Sequence, residues 1–160
     1  SIATRRGLWK ELYNEFDELN LFIQERKRES LEPYRNRFAA LTVGAQKKNL
    51  LDEIAQLMFK LPHSIRLYQL ALDGEQCHAN INSPTIQIEG RDRLYALANA
   101  QGASWKRRDY YVNAVNNPGN VQMTQPYFSV SDGTLCITLS VLTRLHGEDF
   151  IVCCDILPGD

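Results

Sequence analysis

The first sixty positions of the chain have apolar residues at three- and four-residue steps. The stripe consists of Leu8, Leu12, Phe16, Leu19 and Ile23, widened by Trp9, Tyr13 and Phe22. Charged residues fill the other side, so the pattern predicts a long amphipathic helix. Pro33 is expected to bend or restart the chain. Two further helical stretches follow, one through Phe38 and Leu41 and one from about Gln46 to Pro62.

Beyond Pro62 the apolar positions change to the shorter period of strands, with turn sequences between them. The pattern predicts strands at 65–72, 76–81, 121–130, 135–145 and 150–157, and short helices at 93–100 and 105–115. Five strands, interrupted by two helices and preceded by a long one, predict an α+β fold with an antiparallel sheet. We therefore divide the chain into an N-terminal helical segment, residues 1–61, and a strand-rich core, residues 62–160.

Composition and charge exclude several classes of function. The 18 basic residues balance 19 acidic ones and leave a net charge of −1, which provides no general attraction to nucleic acid. No apolar run approaches the roughly 20 residues of a membrane-spanning helix, so we expect no membrane segment in this chain. The chain begins with Ser1 rather than Met, and we expect it to be part of a longer protein.

The four cysteines are Cys77, Cys136, Cys153 and Cys154, and none of them forms a CxxC pair. Cys153 and Cys154 are adjacent, so in a strand they would point to opposite faces. This arrangement favours free, buried thiols over disulfides. Because free thiols are typical of reducing compartments, the cysteines predict a cytoplasmic location, with the periplasm as the alternative.

Motifs of catalysis and metal binding are scarce. The sequence contains no Gly-rich phosphate loop, HExxH or GxSxG, and its histidines do not stand at metal-ligand spacing. We therefore expect neither an enzyme nor a bound cofactor in this chain. A sensor that holds haem or flavin through His78 or a cysteine is the alternative.

The most informative pattern begins at Trp105. An Arg-x-aromatic-aromatic segment is followed by a Pro-Tyr pair and then by an acidic residue in the last apolar strand. The residues concerned are Arg108, Tyr110, Tyr111, Tyr127 and Asp155. In this order and spacing, residues 67–157 resemble the Cache family of PAS-like sensor domains. The resemblance implies a five- or six-stranded antiparallel sheet with flanking helices and a long N-terminal helix.

The resemblance also implies a ligand pocket. Arg108 would hold a carboxylate with its planar fork of donors, and Asp155 would receive an ammonium group. Aromatic walls would come from Trp105, Tyr110, Tyr111 and Tyr127. Ala103 stands where the amino-acid-binding branch has a tyrosine, so the implied ligand is a carboxylate or an amine in general. Core packing of the aromatic residues, and an ion pair of Arg108 with Asp109, are the alternatives.

The likeness is greatest to bacterial Cache modules attached to cyclic di-GMP turnover domains of the EAL and GGDEF types. It implies a regulatory domain whose small-molecule ligand controls a covalently linked output domain. The apolar stripe from Leu8 to Ile23 predicts a homodimer through the N-terminal helix, with packing onto its own sheet as the alternative. A dimerisation module without a ligand is the remaining alternative for the whole domain.

Overall fold

The computed structural model describes residues 2–43, 51–84, 100–130, 133–145 and 147–158, with only the backbone of 2–3 and 22–29. The helices are α1 (Ile2–Thr42), α2 (Leu51–Met58) and α3 (Asp109–Asn116). The strands are β1 (Ser64–Leu70), β2 (Ile81–Asn82), β3 (Gln122–Met123), β4 (Tyr127–Phe128), β5 (Leu135–Leu145) and β6 (Glu148–Ile156). The chain forms two compact units, one up to Glu32 and the other Pro33–Pro158. The predicted functional division between residues 61 and 62 stays a prediction.

In the N-terminal unit, the apolar stripe of α1 is exposed from Leu8 to Leu19, the part whose side chains the structure describes. The exposed fractions are 57% for Leu8, 62% for Trp9, 57% for Leu12, 65% for Tyr13, 62% for Phe16 and 54% for Leu19. Trp9 and Tyr13 contact each other along the helix, with ring centroids 6.3 Å apart.

The chain does not restart at Pro33, one of the two outcomes expected of this proline, because α1 is a helix of 41 residues that contains it. The bend stays a prediction. A proline inside a helix removes one backbone hydrogen bond and costs about 3 kcal/mol. The next turns bury Tyr34 and Phe38 in the core of the second unit, with Phe38 at 0% exposure. Burial of two aromatic side chains offsets a cost of that size.

The second unit is built on an antiparallel sheet of six strands in the order β2-β1-β6-β5-β3, and β4 pairs with β5. The longest pairing joins β5 and β6, from Ile137 opposite Ile156 to Leu145 opposite Glu148. The predicted α+β class and the antiparallel sheet are therefore confirmed. Strands β1, β6 and β5 lie in the middle of the sheet and carry most of its buried residues.

The largest departures from the predicted elements lie at the edges of the sheet. The predicted strand 121–130 is two short strands, β3 and β4, separated by a segment that contains Pro126. Proline cannot donate to a strand ladder, which explains the interruption. The predicted strand 76–81 is reduced to isolated bridges at Glu75 and Gln76 and to β2. The predicted helix 105–115 begins only at Asp109, and the predicted helix 93–100 lies almost entirely outside the described residues.

Helix α3 covers one face of the central strands. Its buried side chains, Tyr110 and Ala114, belong to an apolar cluster with Tyr68, Leu70, Ile151 and Cys153. The hydroxyl of Ser140 donates a 2.7 Å hydrogen bond to the carbonyl of Tyr110. The polar end of this face, next to Tyr110, holds the candidate site.

Candidate functional site

A buried aspartate lies at the centre of the candidate site. The strand register places Asp155 of β6 between Arg66 of β1 and Thr138 of β5. Arg66 Nε donates to Oδ2 of Asp155 at 2.5 Å, and the Thr138 hydroxyl donates to Oδ1 at 2.7 Å. Tyr68, two residues along β1, donates to the same Oδ1 at 3.0 Å. The side chains of Arg66 and Asp155 are each only 3% exposed, so they form a buried ion pair.

Three tyrosines form the aromatic wall beside this ion pair. Tyr110 lies 6.2 Å from Tyr68 in an edge-to-face arrangement and 6.2 Å from Tyr127 in a stacked one. The hydroxyl of Tyr127 is hydrogen-bonded to that of Thr138. Because the Thr138 proton goes to Asp155, Tyr127 is the donor in this bond. A hydrogen-bonded chain therefore runs from Tyr127 through Thr138 to Asp155.

Burial keeps the three phenols protonated. Loss of solvation raises the pKa of Tyr68, Tyr110 and Tyr127 above the ordinary value of 10.0, and the nearby Asp155 carboxylate raises each of them further. At neutral pH these groups are therefore neutral hydrogen-bond donors.

Trp105 and Arg108 line the same cavity as Asp155. The indole N–H of Trp105 donates to Gln76 Oε1 at 2.9 Å. Gln76 in turn donates to the carbonyl of His78 and to Oδ1 of Asn80, both at 2.8 Å. The guanidinium carbon of Arg108 lies 5.9 Å from the centroid of the Trp105 ring, a cation–π distance. The fixed indole ring thus orients the arginine.

A tight turn positions both residues ahead of α3. The amide of Trp105 donates to the carbonyl of Gly74 at 2.9 Å, and the amide of Arg108 donates to the carbonyl of Trp105 at 2.9 Å. Gly74 has a φ of +89°, and a Cβ there would lie 2.8 Å from Cβ of Lys106. The turn that the Asp73-Gly74 pair predicts therefore requires glycine both for its backbone conformation and for the approach of Lys106.

A small cavity joins these groups. The described residues that line it are Tyr68, Gln76, Asn80, Trp105, Arg108, Tyr110, Tyr127, Ser129, Val130 and Asp155. Its volume is about 20 Å³, which is the space of about one water molecule. An adjoining groove of about 260 Å³ shares Arg108, Tyr110 and Tyr127 with the cavity. A ligand with several heavy atoms therefore enters the cavity itself only if some of these shared side chains move.

Five of the six ligand-binding residues predicted from the sequence line this cavity: Trp105, Arg108, Tyr110, Tyr127 and Asp155. Arg108 forms no ion pair with Asp109 in the described part of the chain. Tyr111 does not line the cavity. Its hydroxyl donates to the carbonyl of Leu72 at 2.5 Å, and its ring packs against the edge of the apolar cluster. The contribution of Tyr111 to ligand binding stays a prediction.

The residues that the sequence analysis missed are those that hold Asp155 and Trp105. Arg66 interrupts the apolar run of β1 between Ile65 and Leu67, as Asp155 interrupts that of β6. A charged residue in a buried strand needs a partner, so the two interruptions could have been paired. Gln76 gave no comparable signal, since a glutamine after a turn is usually exposed.

The cysteines are not reactive centres. Cys136, Cys153 and Cys154 are 0% exposed and, like the half-buried Cys77, they are free thiols. Burial raises the pKa of the Cys153 and Cys154 thiols above the ordinary value of 9.0, and Asp155 raises both further. Protonated, inaccessible thiols are poor nucleophiles. Among the described residues, no group of three or more His, Cys, Asp or Glu side chains could hold a metal ion.

No protein-family model matches the sequence, and no curated protein matches it. Several solved structures do. The YkuI protein of Bacillus subtilis, which has an EAL domain and was solved with cyclic di-GMP and calcium, matches with a TM-score of 0.64 at 17% identity, covering 91% of this chain and 36% of that one. The ligand-binding domain of the Campylobacter jejuni chemoreceptor Tlp3, in complex with 4-methylisoleucine, matches with a TM-score of 0.57 at 12% identity, covering 88% and 55%.

The ligand-binding domain of the Pseudomonas aeruginosa chemoreceptor PctB, in complex with L-Gln, matches with a TM-score of 0.52 at 18% identity. It covers 88% of this chain and 53% of that one. This chain has the fold of a Cache sensory domain. The Cache fold predicted from Arg108, Tyr110 and the residues after them is confirmed. This chain spans between 36% and 55% of the length of these three solved chains.

The predicted cytoplasmic location is wrong. Similar folds belong to ligand-binding domains of chemoreceptors, and a further match, with a TM-score of 0.53, is an extracellular ligand binding receptor from Desulfohalobium retbaense. These neighbours point to the periplasm, which was the alternative. The inference from free thiols failed because Cys136, Cys153 and Cys154 are buried, and buried thiols stay reduced in an oxidising compartment too. No helix in the described ranges has the length and apolar character needed to cross a bilayer.

Proposed function

We propose that this Cache domain is a ligand-sensing regulatory domain whose cavity binds a small molecule with a carboxylate group, an amine group or both. The observation that carries the proposal is Arg108, a half-buried arginine that lines the cavity without an ion-pair partner among the described residues. A guanidinium in that position provides a bidentate site for a carboxylate. The Tlp3 and PctB structures, solved with amino acids, support the proposal.

Each cavity residue has a role in this proposal. Arg108 binds the carboxylate, and Trp105 holds the guanidinium in place through its ring and its bond to Gln76. Tyr110 and Tyr127 provide apolar contact and neutral hydroxyl groups. Asp155, paired with Arg66, forms a polar part of the cavity wall.

Ligand binding is coupled to a change of shape in this proposal. The cavity is too small for a ligand of several heavy atoms, so Arg108, Tyr110 or Tyr127 must move on binding. Tyr110 and Arg108 belong to α3 and its N-cap, so their movement would displace that helix. The ligand would then favour one of two arrangements of the domain, which is a population shift.

The partners of the domain are a further part of the proposal. The likeness to YkuI, of which the chain spans 36% and which has an EAL domain, supports a covalently linked output domain for cyclic di-GMP turnover. The exposed stripe of α1 supports a homodimer through that helix, because an isolated helix with exposed aromatic and leucine side chains gains stability from a partner surface.

A thermal-shift screen of carboxylates, amines and amino acids tests the ligand-binding proposal. A compound at a hundred times its dissociation constant stabilises the domain by about 2.7 kcal/mol, which raises the melting temperature by roughly 5 °C or more. Arg108→Gln should abolish the shift. The matched control is Arg144→Gln, because the Arg144 side chain is 71% exposed and lines neither the cavity nor the adjoining groove. No shift with any compound, or an equal shift in both variants, would contradict the proposal.

A further inference from the structure

We infer that the cavity selects small carboxylates that carry no ammonium group. Asp155, the only carboxylate among the described residues that line the cavity, is already neutralised by Arg66, whereas Arg108 has no neutralising partner among them. This inference rests on the proposed function, and it narrows the class of ligand. Three observations carry it: the contacts of Asp155, the charge of the cavity, and the neutrality of the other hydrogen-bond acceptors that the structure describes around it.

The contacts of Asp155 leave little capacity for a ligand ammonium. A carboxylate has about four positions for accepting hydrogen bonds. Three of them are taken by Arg66, Thr138 and Tyr68, at 2.5, 2.7 and 3.0 Å. A ligand ammonium at Asp155 would also bring a second positive charge next to the guanidinium of Arg66, which is buried and paired at the same carboxylate.

The charges at the cavity sum to an excess of one positive charge. The charged residues lining it are Asp155 and Arg108, and Arg66 lies against Asp155. The Arg66–Asp155 pair is neutral as a unit. Arg108 is therefore the unbalanced charge, and a ligand with a net charge of −1 neutralises it, whereas a zwitterion does not.

The other acceptors that the structure describes at the cavity wall are neutral, so none of them replaces a carboxylate as the partner of an ammonium group. An ammonium group has three donors and needs acceptors for them. The phenols of Tyr68 and Tyr127 donate to Asp155 and Thr138, and burial keeps them protonated. The amide oxygens of Gln76 and Asn80 each already accept a hydrogen bond. The site therefore suits a carboxylate that inserts an apolar tail among the tyrosines.

Isothermal titration calorimetry with matched pairs of probes tests this inference. Each pair differs only in the ammonium group: 3-methylbutanoate against valine, 4-methylpentanoate against leucine, and 4-carbamoylbutanoate against glutamine. 2-Methylpropylamine and 3-methylbutylamine serve as probes with the ammonium alone. We expect the tightest binder to be an ammonium-free carboxylate, with an affinity at least tenfold higher than that of its amino acid.

The outcomes separate this inference from the proposed function. If an amino acid or an amine binds as tightly as the best carboxylate, the inference is overturned and the proposed function stands. If no probe of the three classes binds, both are overturned. Arg108→Gln should weaken binding of the best carboxylate at least tenfold, while Arg144→Gln, outside the cavity and the groove, should change it less than twofold.

A further variant tests the role of Arg66 directly. Arg66→Gln removes the charge that neutralises Asp155, so the preference should move at least tenfold towards the amino acid of the matched pair. An unchanged preference in a folded Arg66→Gln protein would overturn the inference. If this variant does not fold, the matched pairs on the wild-type chain and the Arg108 variant decide the question without it.

Discussion

Replacing Asp155 with asparagine should destabilise the domain strongly. The substitution keeps an oxygen that can accept hydrogen bonds from Tyr68 and Thr138, but it leaves the buried guanidinium of Arg66 without its counter-ion. Breaking a buried ion pair by removing one partner typically costs about 3–5 kcal/mol. This is a large fraction of the roughly 5–15 kcal/mol that stabilises a typical domain. The urea midpoint should therefore fall by more than about 1 M.

An exposed ion pair on β5 and β6, the strands that carry Thr138 and Asp155, provides a matched control. Arg144 and Asp149 are also paired between β5 and β6, at 3.1 Å, but their side chains are 71% and 42% exposed. Asp149→Asn should cost no more than about 1 kcal/mol, since solvent screens such pairs. The assay is urea unfolding followed by circular dichroism.

The double variant Arg66→Met/Asp155→Asn separates the lost charge pair from the lost hydrogen bonds. It removes both charges, so it should be more stable than Asp155→Asn alone, with a coupling energy of at least about 2 kcal/mol. The reasoning would be refuted if Asp155→Asn cost no more than Asp149→Asn, or if the double variant showed no coupling.

Three further predictions concern the turn, the buried protons and the long helix. Gly74→Ala should lower the free energy of unfolding by more than about 1 kcal/mol, which is about the least that a strained positive φ costs. It should also weaken ligand binding, because Lys106 must move to make room for the new Cβ. Calorimetry that shows neither effect would be inconsistent with this account. Raising the pH above about 10 should lower the urea midpoint, because the folded state retains protons on buried thiols and phenols that the unfolded state releases. The loss of stability is up to about 1.4 kcal/mol per pH unit for each such group. Equal urea midpoints at about pH 8 and pH 11 would exclude this effect. Phe16→Lys should make the chain monomeric in sedimentation velocity, whereas Asn14→Lys, on the opposite side of α1, should leave a dimer; a monomeric wild-type chain would argue against the dimer.

Sequence patterns predicted the middle of the sheet well because its strands are buried. Continuous apolar runs define β1, β5 and β6, and β5 has the predicted bounds of Leu135 and Leu145. The split of β3 and β4 had a local signal in Pro126, which the prediction of one strand over 121–130 did not use. At Pro33 the chain continues as a helix instead of restarting, since burial of Phe38 outweighs a local preference.

The candidate site was predicted in part. Arg108 and Asp155 were found from residue type and position, and both line the cavity. Arg66 was missed because its contact with Asp155 spans 89 residues of sequence. Such a contact depends on the register between β1 and β6, which a single sequence does not specify. This missed residue changes the chemistry of the site, because it neutralises the aspartate that was expected to receive an ammonium group.

The measurement that tests the central claim most directly is the indole N–H signal of Trp105 in a ¹H–¹⁵N NMR spectrum. The chain has two tryptophans, Trp9 and Trp105, so the spectrum contains two such signals, and the Arg108 variant identifies that of Trp105. Titration with the matched carboxylates and amino acids should shift the Trp105 signal in a saturable way, because this N–H bonds to Gln76 at the cavity wall. A Trp105 signal that stays unchanged with every compound would contradict the claim that this cavity is a ligand site.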